Sequence, residues 1–126
     1  MYKTTDNSGA PAAVTGAYIE PFAPWFGAGD RPLVVVAPGT RGLGDHCAPS
    51  KQVNPLTYSY AVDYENATYS RLLANGVAVV VPDYQGQGTP GLPPYLVGQP
   101  NGYAVLDALR AATRLAGAGV SSAAPM

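Results

Sequence analysis

The chain has 126 residues, the usual size of one domain, and a domain of that size buries roughly two-thirds of its unfolded surface. Only 12% of the residues are charged, the net charge is −1 and no Lys/Arg cluster occurs, so nucleic acid and anionic membrane surfaces find no electrostatic footprint. No apolar run approaches the ~20 residues of a bilayer span, the lone Cys47 excludes an internal disulfide, and the lone His46 supplies no zinc ligand set.

The opening MYKTTDNSGAP has no apolar stretch of the kind a signal peptide needs. Tyr2 to Thr5, a turn at Asp6-Asn7-Ser8-Gly9 and Ala13 to Ile19 read as a β-hairpin. A Pro/Gly-rich loop, PFAPWFGAGDRP, follows from Pro21 to Pro32. Leu33 to Ala37 is continuously apolar, as a strand covered on both faces of a parallel sheet would be. After a glycine-laden loop from Pro38 to Ser50, the pattern predicts a helix from Asp63 or Tyr64 to Asn75. Glu65 falls in its first turn, Ala67, Leu72 and Leu73 form its apolar side, and Gly76 caps its end. Val77 to Val81 reads as a second buried strand, and a long loop leads to a helix over about 102–116 with Val105, Leu106, Leu109, Ala112 and Leu115 at helical spacing.

A hairpin followed by strand, helix, strand and helix predicts an α/β sheet wrapped on both faces. A further strand is expected after the second helix. The chain therefore reads as the N-terminal part of a single sheet domain, cut before that strand.

Four local patterns suggest chemistry. Gly86-Gln87-Gly88-Thr89-Pro90-Gly91 fits G-x-G-x-x-G, the dinucleotide signature. That signature works by opening a helix whose N–H groups meet the pyrophosphate. Here Pro90, Pro93 and Pro94 favour an extended loop instead, and Asp83 would repel phosphate. Gly86, Gly88 and Gly91 then serve a sharp turn at the sheet edge, with Asp83 accepting from N–H groups of its own loop. Asp45, His46 and Ser50 lie too close in sequence for each to reach the next in line as a nucleophilic triad. Cys47, with only His46 as a basic neighbour, reads as a small buried apolar group. The nine tyrosines, without positive charge around them, read as packing and rim residues.

Three segments together say more. APGTRGLGDHCAPS (37–50), VAVVVPDYQGQGTPG (77–91) and NGYAVLDALRAATRL (101–115) resemble the bacterial and fungal secretory lipase family, of α/β-hydrolase fold, and residues 2–21 look like its first hairpin. The resemblance implies hydrolysis of triacylglycerols and other carboxylic esters, outside the cell, through a Ser-Asp-His triad and without a cofactor. In that family the nucleophile is a serine in a G-x-S-x-G elbow on the strand after the second helix. None of Ser8, Ser50, Ser59, Ser70, Ser121 and Ser122 has glycines at that spacing. No catalytic triad member is thus assigned here, and the chain by itself is expected to be inactive. The loop after the family's third strand gives one oxyanion-hole N–H, which implies Thr40, Arg41 and Gly42 as candidate donors. The fungal pattern has an acidic residue near Arg41, from which this sequence departs. The expected partners are an ester or lipid substrate and the rest of the sheet. Two other readings stand beside this one: a non-catalytic α/β domain binding a partner through the open edge of Leu33–Ala37, and a dinucleotide-binding βαβ unit.

Overall fold

The structure, a computed structural model, describes residues 1–52 and 65–126. Ser59 and the expected helix start at Asp63 or Tyr64 lie outside the described residues.

The fold is mixed α/β. β1 (Tyr2–Thr5) pairs antiparallel with β2 (Pro11–Val14) around the Asp6–Gly9 turn. The Asp6 carboxylate accepts from Ser8 and from the Ala10 N–H, and these bonds hold its pKa below the ordinary carboxylate value. The expected second hairpin strand is in fact two strands. The chain bends at Thr15, and β3 (Gly16–Ile19) crosses to a different sheet, where Thr15 O accepts from the Asp83 N–H. Gly16 permits this because a Cβ there would stand 2.7 Å from Val81 O.

That second sheet has the order β3-β5-β4, with β4 (Leu33–Val35) parallel and β3 antiparallel to the central β5 (Ala78–Pro82). All five residues of β5 are buried. Side chains alternate between faces along a strand. Ala78 and Val80 join Leu33 in one apolar cluster, while Val79 and Val81 join Val36 and Tyr69 in the other. Each cluster is closed by a helix, so the sheet is covered on both sides as its unbroken valine runs require.

A 3-10 turn (Asp45–Cys47) and the short α1 (Pro49–Gln52) follow β4. α2 (Asn66–Ala74) covers one face through Tyr69, Leu72 and Leu73, and Ala67 is exposed instead of joining that side. It ends as expected at Gly76, whose φ of +77° suits glycine. Gly76 N–H donates to Leu73 O and Val77 N–H to Leu72 O, the double bond pattern of a Schellman cap.

α3 (Gly98–Ala112) begins and ends about four residues before its sequence expectation. Pro100 is the reason. It lies in the first turn, where the missing N–H leaves no intrahelical bond unmade, so the helix starts ahead of it. The buried side is Pro100, Ala104, Ala108 and Ala112, while Leu106 and Leu115 are half exposed. Four-residue spacing of small side chains lets the helix approach the sheet closely. The β1–β2 hairpin locks onto it through Tyr2 Oη–H to Ala104 O (2.8 Å) and Thr4 Oγ1–H to Asp107 Oδ2 (2.9 Å).

The outer edge of β4 is partly covered. Ala78 N–H donates to Pro32 O and Val36 N–H to Val80 O, which turns Leu33 and Val35 away from β5. Leu33 N–H donates to Pro125 O at 2.9 Å, and the tail residues Val120 and Ala124 pack into the α3-side cluster. Among the described residues nothing accepts from the Val35 N–H. Among these residues the edge is capped at Leu33 and open at Val35.

Candidate functional site

β4 and β5 run parallel, so the segments leaving them emerge at the same edge of the sheet. In open α/β sheets ligands bind just outside these carboxyl ends. Two loops meet there, one over residues 36–48 and one over residues 83–97.

Asp83 is the first residue past β5 and is fully buried. Its carboxylate does not serve its own loop. One oxygen accepts from Ser50 N–H and the other from Ser50 Oγ–H, both at 2.6 Å, which fastens the start of α1 to the end of β5. The Ser50 hydroxyl is therefore committed, and His46 lies exposed on the 3-10 turn, so Asp45, His46 and Ser50 form no triad line. Gly86 and Gly88 have φ of +72° and +77° in the turn that follows, and the Gly88 N–H donates to Asp45 Oδ1 at 3.2 Å. No helix opens from these glycines, since α3 begins at Gly98. That geometry lacks the helix N-terminus a pyrophosphate needs.

Tyr84 occupies the left-handed region at φ 66°, a conformation that costs a non-glycine residue of order 1–3 kcal/mol and persists only when its surroundings impose it. Its hydroxyl donates to Pro38 O at 2.9 Å. Gln87, also buried, donates from Nε2 to Gly42 O at 2.7 Å. Gly42 itself has φ +113°, and a Cβ there would stand 2.6 Å from Cys47 Sγ, so both its backbone and its neighbour require glycine.

These contacts define the 38–42 loop. Its carbonyls at Pro38 and Gly42 are held from the β5 side. The Gly39 N–H is taken by Glu65 Oε1 at 2.6 Å. The Arg41 side chain, 3% exposed, turns into an ion pair with Glu65 Oε2 and also donates to Gln52 Oε1 at 2.9 Å. Its charge is neutralised there. By contrast, no group among the described residues accepts from the N–H of Thr40 or Gly42.

Beside the loop lies a cavity of about 220 Å³, bounded by Pro38, Thr40, Leu43, Tyr84, Tyr95 and Leu96. Thr40 Oγ1 and Tyr95 Oη approach to 3.4 Å across it. The volume is below the roughly 300–1,000 Å³ of pockets for drug-sized ligands, which suits a small, largely apolar group.

The structure thus gathers Thr40, Arg41 and Gly42 with Asp83, Gly86 and Gly88 at one rim. Sequence reasoning missed Glu65, Gln52, Tyr84, Gln87 and Tyr95. Glu65 offered only a place in the first turn of a helix, and nothing local told that its carboxylate would cross 24 or more positions to the loop.

Comparison with family models matches residues 51–126 to the family described as secretory lipase. No curated protein matches the chain.

Proposed function

The chain belongs to the secretory lipase family, and from that premise we infer that it supplies the oxyanion-loop part of a hydrolase for carboxylic esters of lipids. The family match supports lipase-like function at the level of the family and a lipid substrate. The finer reading rests on one observation: a loop pinned at Pro38, Gly39 and Gly42 whose Thr40 and Gly42 N–H groups meet no acceptor among the described residues, beside a small cavity.

When a serine attacks an ester carbonyl, the carbonyl oxygen becomes an oxyanion, and pre-positioned N–H donors stabilise it by about 3–4 kcal/mol each. Thr40 and Gly42 are the donors proposed here. Arg41 contributes its backbone position and not its charge, because the guanidinium is engaged by Glu65. The proposed nucleophile elbow belongs to a strand laid along the open Val35 edge of β4, which would place the serine at the same carboxyl end as the loop. The family relationship also favours an extracellular setting for the intact enzyme. The chemistry calls for no cofactor.

Hydrolysis of p-nitrophenyl butyrate tests this reading in two arms. The purified chain alone is expected to give no turnover, because Ser50 is bound to Asp83 and no serine stands in an elbow. Mixed with a separately expressed secretory-lipase segment bearing the elbow, acid and histidine, it is expected to turn over. Turnover by the chain alone that Ser50→Ala abolishes, or a folded mixture without activity, would contradict the reading.

A further inference from the structure

Glu65 sits just before α2, whose hold on the sheet comes from Tyr69, Leu72 and Leu73. The helix has no need of this carboxylate for packing. Yet the Glu65 side chain is only 13% exposed and both of its oxygens are directed to the 38–42 loop. One takes a backbone N–H and the other takes a guanidinium, two residues apart in sequence.

Without that carboxylate the loop would lose two of its anchors. The Gly39 N–H would be free to turn, and the Arg41 side chain would lose the carboxylate that holds it on the α2 side. With the carboxylate present, the chain is fixed at Gly39 on one side of Thr40 and at Arg41 on the other, while Gln87 fixes Gly42 O. The peptide groups between these anchors lose most of their freedom. Donors of this kind act well only when held within about 0.5 Å of the productive position.

We propose that Glu65 is a positioning residue for the Thr40 and Gly42 N–H donors, and that the pocket they border takes the carboxyl end of a short-chain acyl group. The proposal rests on the oxyanion-loop reading above. A carboxylate product of ester hydrolysis presents an oxygen where the oxyanion would sit, so sodium butyrate serves as the probe. Its short chain suits a cavity of about 220 Å³ lined by Leu43, Tyr84, Tyr95 and Leu96.

The experiment is a butyrate titration of the 126-residue chain followed by amide NMR. In the unaltered chain the Thr40 and Gly42 amide resonances are expected to shift and saturate. In Glu65→Gln the dissociation constant is expected to rise roughly tenfold, a difference of about 1.4 kcal/mol. Glu65→Asp, with the charge kept but the reach shortened, is expected to fall between the two, and it decides the matter if Glu65→Gln does not fold. Thr4→Val removes the remote bond to Asp107 and calibrates a purely structural effect, with a lower melting temperature and an unchanged dissociation constant. Equal butyrate affinity in the unaltered chain and the folded Glu65 variant overturns the positioning role. Absence of any shift at Thr40 and Gly42 in the unaltered chain overturns the oxyanion-loop reading itself.

Discussion

At the centre of the sheet, β5 is buried along its whole length between two apolar clusters, with a neighbour on each side. At the rim the hold is polar: the two loops are joined by Tyr84 to Pro38 and Gln87 to Gly42, and they are tied to the starts of α1 and α2 by Ser50 to Asp83 and by Glu65 to Gly39 and Arg41. The difference is one of physics. Apolar burial is non-directional and scales with area, so it fixes the layers but not the orientation of a peptide group. Hydrogen bonds are directional, and where their partners are buried they are costly to leave unmade. The centre holds the fold, and the rim holds the N–H groups in place.

Truncations in the two regions should therefore fail differently. Leu33→Ala, at a fully buried position, is expected to lower the unfolding free energy by about 2–5 kcal/mol and to lower it for the whole sheet. Ser50→Ala leaves one oxygen of the buried Asp83 without its hydroxyl donor, at a cost of about 1–3 kcal/mol. Urea unfolding measures both, and amide exchange shows where each loss falls. If Ser50→Ala loosened β5 as much as Leu33→Ala does, the division between centre and rim would break down.

A smaller effect sharpens the comparison where the hairpin meets α3. Burial, followed by the nearby Asp83 and Asp107, raises the Tyr2 phenol above its ordinary pKa of 10.0. The fold thus favours the neutral phenol. The stability this contributes is complete below about pH 10 and is lost as the pH climbs through the folded value. Tyr2→Phe gives up the bond to Ala104 O, for about 1 kcal/mol near neutrality, and should decline less steeply in alkali. Some slope remains from Tyr18, pushed up to about 12 by burial and then by its bond to Glu20. Parallel pH profiles for the two proteins would show that Tyr2 does not titrate as described.

The same division decides what could be read from the sequence. The runs at Leu33 and Val77 announce a doubly covered sheet because unbroken β-branched residues have no other low-energy home. The cap at Gly76 was visible for a similar reason, since few other residues accept its backbone angle. The start of α3 was not, because Pro100 looks like a helix breaker until it is known to lie in the first turn. The leucines of α3 also misled, since the helix approaches the sheet on alanines. At the rim the residues of the 38–42 loop were reached through a family resemblance, and their holders were not reached at all. Glu65, Tyr84 and Gln87 act across dozens of positions, and no local pattern encodes a partner that only folding brings near.

The central claim is that this loop is pinned around donors it does not itself use. Native-state amide exchange at residues 39, 40 and 42 tests it most directly. The account predicts slow exchange at Gly39, whose N–H is bound to Glu65, and fast exchange at Thr40 and Gly42. Protection at Thr40 and Gly42 equal to that at Gly39 would mean those N–H groups are already engaged, and the loop could not then receive an oxyanion.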